Sequence, residues 1–178
     1  MQYCRDPLTQ NYKCLHGERG RILPTGTRDS TLEILVGEDG WVTHHENGIL
    51  YSFDASKCMF SSGNFSEKLR IARLDCKDEV IVDLFAGIGY FVLPFLVRAR
   101  ARFVYACEWN PHALEALRHN LKINLVADRC HVLEGDSRMT APKVANPARL
   151  LGQADVACDM MAVRGSRRRQ VTSGVGGI

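Results

Sequence analysis

The chain has 178 residues, of which 46% are hydrophobic and 24% charged, and a formal net charge of +3. That length suits one core with a small appended module, and so modest a net charge argues little for nucleic acid or a membrane surface. No apolar run approaches the roughly 20 residues of a membrane helix, and the first ten residues, MQYCRDPLTQ, lack the apolar segment of a secretory signal. Seven cysteines, an odd number at irregular spacing, point to reduced thiols in a cytoplasmic or nuclear compartment, with the cytoplasm as the expectation. Cys14, His16, His44 and His45 lack the turn or helix spacing of a tetrahedral site, so no metal is expected.

Residues 1–57 read as a β-rich N-terminal module, a fragment of a larger one. STLEILVG is a strand, and WVTHHENGILYSFD is a pair of strands around the hairpin signal Asn47-Gly48. CMFSSGN follows as a loop. NFSEKLRIARL then has helix character, with Ser66 as a candidate cap and Leu69, Ile71, Ala72 and Leu74 on the apolar side.

From Glu79 the pattern changes. EVIVDLF is a short continuous apolar strand of the kind buried on both faces of a parallel sheet. AGIGYFVLPFLVRAR turns through glycine into a helix whose first turn tolerates Pro94. ARFVYACE is a second strand. NPHALEALRHNLKINL is an amphipathic helix capped by Asn110, with Pro111 at its first position and Ala113, Leu114, Leu117 and Leu121 as the buried stripe. CHVLEGD is a third strand. Strand, helix, strand, helix, strand across residues 80–136 predicts the βαβαβ half of a doubly wound nucleotide-binding fold.

Beyond residue 138 the pattern weakens. ADVACDMMAV is a candidate fourth strand, and residues 139–178 otherwise read as an irregular tail with six Lys/Arg against two Asp. No segment remains for a second half-sheet, which leaves one side of the first strand as an expected open edge.

Ligands of open parallel sheets sit beyond the carboxyl ends of the strands. Asp83, Gly87 and Gly89 fall at that end of the first strand, Glu108 ends the second and Asp136 ends the third. A glycine turn lets the backbone approach a ligand, Glu108 can accept the hydroxyls of a ribose, and Asp136 stands where adenine contacts are usual. The position three past Gly89 is Val92, so the dinucleotide fingerprint is incomplete, and no phosphate-loop motif is present. A small amino-acid-bearing nucleoside fits better than a pyrophosphate. That points to S-adenosylmethionine, with Asp83 and the glycine turn near its amino-acid end.

DLFAGIGYFVLP, ACEWNPHALEALRHN and LEGDSR, preceded by MFSSGNFSEKLR, closely resemble the tRNA wybutosine-synthesising aminocarboxypropyltransferases, relatives of the tRNA guanine-37 N1-methyltransferases. The resemblance covers roughly residues 28–138. It implies a class I S-adenosylmethionine-dependent transferase with a Rossmann-like parallel sheet, incomplete at the C-terminus, whose cofactor-binding half is 58–138. It also implies that the segment FSSGNFSEK closes over the cofactor through Ser61 and Lys68, and that Glu108 and Asp136–Ser137 hold the ribose and adenosine portions. Lys68 would meet a carboxylate as a point charge; the plainer alternatives are an exposed helix lysine and, for Ser61, a loop hydroxyl.

The implied reaction moves the 3-amino-3-carboxypropyl group from S-adenosylmethionine to a carbon of the tricyclic base beside the anticodon of phenylalanine tRNA. A tRNA guanine-37 N1-methyltransferase and a non-catalytic binding fragment are the alternatives. The resemblance fades from about Ser137, where the family continues into a fourth strand and a proline-bearing substrate loop.

Overall fold

The computed structural model describes residues 17–18, 33–34, 40–144, 158–159 and 162–164. Strands β1 (Gly17–Glu18) and β2 (Glu33–Ile34) pair antiparallel, as do β3 (Trp41–Glu46) and β4 (Ile49–Asp54). Asn47 and Gly48 join β3 to β4 at φ of 52° and 74°, the left-handed pair that a two-residue hairpin turn requires. Sequence and structure agree closely here.

Helix α1 (Phe65–Ala72) follows, and Ser66 lies inside it; Asn64 holds the N-cap position with no side-chain hydrogen bond. The central sheet comprises β5 (Val80–Asp83), β6 (Phe103–Glu108), β7 (Cys130–Glu134), β8 (Cys158–Asp159) and β9 (Ala162–Arg164), ordered β7-β6-β5-β9-β8. β5, β6 and β7 run parallel, as the βαβαβ reading predicts. β9 lies antiparallel against β5, pairing Ile81 with Arg164 and Val82 with Val163. The expected open edge of the first strand is therefore covered. ADVACDMMAV contributes two short strands in place of one, because the chain reverses between Asp159 and Ala162.

The segment after the glycine turn is tighter at its start and wider at its end than a regular helix. Pro94–Arg98 forms a π turn, with Ala99 N–H reaching Pro94 O at 2.9 Å. Pro94 has no N–H to give the preceding turn, and the register slips by one residue there. Helix α2 (Pro111–Ile123) matches expectation: Asn110 Oδ1 accepts from His112 N at 2.9 Å and Ala113 N at 3.5 Å. Its stripe of Ala113, Leu114, Leu117 and Leu121 is buried.

The pleat sends alternate residues to opposite faces. Ile81, Val104 and Ala106 pack with α2 and the glycine turn, whereas Val82, Tyr105 and Cys107 form a smaller cluster with Val144. Val42, Ile49, Tyr51 and Phe53 of the hairpin belong to the larger cluster. The hairpin thus shares the sheet's core across the expected boundary at 57/58, because its apolar face is covered by α2 and by Phe60.

Asn120 fastens this junction. Fully buried on α2, it accepts Ser52 N–H at 2.7 Å and donates to Ile88 O at 2.9 Å. One turn on, Asn124 accepts Leu50 N–H at 3.0 Å and donates to Leu50 O at 2.7 Å.

Candidate functional site

A cavity of 340 Å³ opens at the carboxyl ends of β5, β6 and β7, lined by Leu84, Phe85, Cys107, Glu108, Trp109, Gly135, Asp136, Ser137 and Arg138. Its volume is near the lower end for small-molecule sites, enough for a nucleoside. Three of the expected residues, Glu108, Asp136 and Ser137, meet here.

Glu108 ends β6 at 9% exposure. Its Oε2 accepts Gly87 N–H at 2.7 Å, and its Oε1 accepts Trp109 N–H at 2.9 Å and Asn110 N–H at 2.8 Å. A carboxylate has about four acceptor positions, so one remains on Oε2 for a ligand hydroxyl. Glu108 therefore organises the turn as well as facing the cavity. Gly87 adopts φ of +54°, and a Cβ there would stand 2.9 Å from the Tyr90 ring. It reaches the site through its amide.

β7 ends at Glu134, so Asp136 sits two residues beyond the strand it was expected to end, as N-cap of the short helix α3 (Ser137–Thr140), and accepts Arg138 N–H at 2.9 Å. The Arg138 guanidinium also donates to both carboxylate oxygens. Those side-chain bonds, then the backbone one, hold the Asp136 carboxyl down at about 2. It is an anion throughout the physiological range.

Asp83 is fully buried beneath the cavity rather than lining it. Oδ1 accepts Phe85 N–H at 3.1 Å, and Oδ2 has no hydrogen-bond partner. Burial, with a smaller contribution from the Glu108 charge, pushes its carboxyl up to about 7.

Lys68 and Ser61 do not line the cavity. Ser61 is half-buried in the loop before α1. Lys68 is not the exposed helix lysine of the plainer reading: it is 3% exposed, 2.5 Å from Glu46 Oε1. Its ammonium stands 4.6 Å from the Phe60 ring centroid and 5.3 Å from that of Tyr51. Phe60 in turn contacts Tyr90 at 6.0 Å, the residue against Gly87.

Trp109 and Phe85 are functional candidates that sequence reasoning passed over. They line the cavity at 56% and 65% exposure. A large aromatic left in water immediately after a strand-end acid is the signal that could have found Trp109. Among the described residues no three His, Cys, Asp or Glu cluster to hold a metal, and no helix is long and apolar enough to cross a membrane.

A parallel sheet ordered third, second, first strand, with a glycine turn after the first and acids at the ends of the next two, defines a class I S-adenosylmethionine-dependent transferase fold. Residues 42–170 match the family described as the TRM5/TYW2 methyltransferase domain, and the chain belongs to that family. The match runs past residue 138, where the sequence resemblance was expected to fade.

The chain is 76% identical over 125 residues to a tRNA wybutosine-synthesizing protein 2/3/4 of Oryza sativa subsp. japonica, covering 70% of this chain and 12% of that protein. It is 61% identical over 131 residues to a tRNA wybutosine-synthesizing protein 2 homolog of Rattus norvegicus, covering 74% of this chain and 30% of that one. The chain thus spans less than a third of each. Among solved structures, M. jannaschii TYW2 in complex with AdoMet aligns with a TM-score of 0.57 at 38% identity, over 60% of this chain and 48% of that chain. Methanocaldococcus jannaschii Trm5 in complex with adenosine aligns with a TM-score of 0.55 at 34% identity, over 64% and 36%.

Proposed function

We propose that this chain binds S-adenosylmethionine and takes part in transferring its 3-amino-3-carboxypropyl group to the tricyclic base at position 37 of phenylalanine tRNA, in wybutosine biosynthesis. The observation that carries the cofactor is the cavity framed by Glu108 and Asp136 at successive strand ends, with the Gly87 amide bonded to Glu108. The choice of transferred group is supported by relatives named for wybutosine synthesis at 61–76% identity. The methyl-transferring alternative has support from the Trm5 fold at 34% identity. The cytoplasm, with its tRNA pool, is the proposed setting.

The donor set fits the nucleoside. Glu108 Oε2 accepts a ribose hydroxyl, Trp109 supplies an aromatic face for adenine, and Asp136 with Ser137 meets the adenosine edge. The amino-acid end is directed from the cavity past Gly87 toward Lys68. Ser61, in the loop before α1, is a further donor toward that end. S-adenosylmethionine supplies an electrophilic carbon beside a sulfonium. The chain's own task is positioning, since which of three carbons meets the nucleophile depends on how the two ends are held. Charge on sulfur disperses during transfer, so the apolar walls of Leu84, Phe85 and Trp109 favour the reaction over a wet site.

Two labelled cofactors test this. Phenylalanine tRNA carrying the tricyclic base and, in parallel, the same tRNA with an unmodified guanine at position 37 are incubated with S-adenosylmethionine labelled in the carboxypropyl chain or in the methyl group. Label entering tRNA from the carboxypropyl chain alone is expected; entry from the methyl group alone establishes the methyltransferase. Cofactor binding by calorimetry without transfer of either label establishes the binding fragment.

A further inference from the structure

Phe85 and Trp109 stand in the wall of one cavity with 65% and 56% of their surface in water. A ring left that exposed adds little to the fold, and two at one mouth make an apolar face that a ligand can cover. Phe85 belongs to neither core cluster, yet its backbone is fixed. Its amide donates to Asp83 Oδ1 at 3.1 Å, and the next amide, of Ala86, donates to Cys107 O at 3.0 Å. The fully buried Asp83 is thus the footing of a ring that the core itself does not hold. A rigid backbone beneath a bare aromatic side chain suits a stacking platform.

The two rings belong to different strands. The parallel register sets Asp83 beside Ala106 and Glu108 beside Glu134, so Phe85 follows the end of β5 and Trp109 the end of β6. The proposed adenosine contacts, Glu108, Trp109, Asp136 and Ser137, all follow β6 or β7. A nucleoside has one base, and Trp109 already serves it; Phe85 is left over on the β5 side. With the amino-acid end leaving past Gly87, the reactive carbons lie on that β5 side too, where the acceptor base has to arrive.

We infer that Phe85 is the platform on which the acceptor base of the tRNA stacks, and a determinant of preference for a tricyclic base over guanine. This rests on the proposed transfer to position 37. A base that reacts at a ring atom is drawn out of its stack, and it needs a face to replace the lost neighbours. A phenyl ring offers that face without hydrogen-bonding groups, so it reads the size of the base and not its edges. A tricyclic ring covers more of it than guanine does. Stacking also fixes the plane of the base, and with it the approach of the attacking carbon to the cofactor.

Phe85→Leu keeps an apolar wall and removes the ring, whereas Phe85→Tyr keeps the ring. Wild type and both variants of the whole chain are titrated with S-adenosylmethionine, and with phenylalanine tRNA bearing the tricyclic base or guanine at position 37. The tRNA titrations contain saturating methylthioadenosine, which is what remains of the cofactor once its carboxypropyl group has left. Phe85→Leu should bind the tricyclic tRNA about tenfold more weakly, the guanine tRNA about threefold more weakly, and S-adenosylmethionine within about twofold of wild type. Phe85→Tyr should restore the preference between the two tRNAs. If Phe85→Leu leaves that preference unchanged, or Phe85→Tyr fails to restore it, the platform is wrong and the proposed transfer stands. Cofactor affinity that falls in step with tRNA affinity assigns the ring to the cofactor and overturns the platform as well. If wild type transfers label from S-adenosylmethionine to neither tRNA, the proposed function fails and takes the platform with it.

Discussion

The amide of Gly87, in the turn after β5, donates to the carboxylate of Glu108, at the end of β6, across 2.7 Å. The glycine turn and the end of the second strand are therefore set by one charge-assisted bond, and Glu108 serves fold and ligand together.

Replacing Glu108 with Gln keeps the shape and removes the charge shared by Gly87, Trp109 and Asn110. Stability should fall by about 1–2 kcal/mol in urea denaturation, as charge-assisted bonds become neutral ones. Affinity for S-adenosylmethionine and for methylthioadenosine should fall together, since the ribose is common to both. An unchanged denaturation midpoint would mean that the three amides are satisfied without the charge.

Asn120→Ala should be among the most damaging single changes. It leaves Ser52 N–H and Ile88 C=O buried and unpaired and opens a cavity between hairpin and sheet. The expected loss is about 2–4 kcal/mol. A loss below about 1 kcal/mol would show that water enters and restores the bonds.

Gly89 and Gly87 should differ in severity. Gly89 has φ of +102°, and a Cβ would press on Leu93 and Leu117 at 3.1–3.2 Å. Neither leucine can yield without disturbing the core. Gly87 sits at +54° against a Tyr90 ring edge, a conformation that alanine enters at about 1–2 kcal/mol. Gly89→Ala should unfold at a lower temperature than Gly87→Ala; the reverse order would count against the packing described.

Asp83 predicts a pH dependence. Its carboxyl is held at about 7 in the fold against 3.8 ordinarily. Between those values the folded chain binds more protons than the unfolded one, so this group's contribution to stability falls as pH rises from about 4 to 7. Asp136, held at about 2, acts in the other direction and in a separate window, losing its contribution as pH falls from about 4 to 2. Asp83→Asn should flatten the neutral-side decline and be the more stable protein at pH ~8. Parallel stability curves for wild type and variant between about pH 4 and 8 would show that Asp83 ionises freely.

Much of this molecule was legible in the sequence because local chemistry and global fold agree. Continuous apolar strands, the Asn110-Pro111 helix start and Asn47-Gly48 each carry their own signal. The harder features depend on contacts across long sequence separations. Lys68 and Glu46 stand on different elements, and nothing in FSSGNFSEK shows that its lysine turns inward to a hairpin carboxylate. Asp83 shares the strand-end position of Glu108 yet lies beneath the cavity, because one acid has three amides to greet it and the other has one. Asn120 reads as one more polar residue on an amphipathic helix until the hairpin is in place beside it.

That asparagine also decides how the protein can be taken apart. Its two amide atoms tie the strand at Ser52 to the turn at Ile88, so a cut at residue 57 would sever a single connected lattice. The smallest portable version of this cofactor platform begins no later than Trp41. Grafting experiments that import only the alternating strands and helices would carry a glycine turn that has lost its mooring.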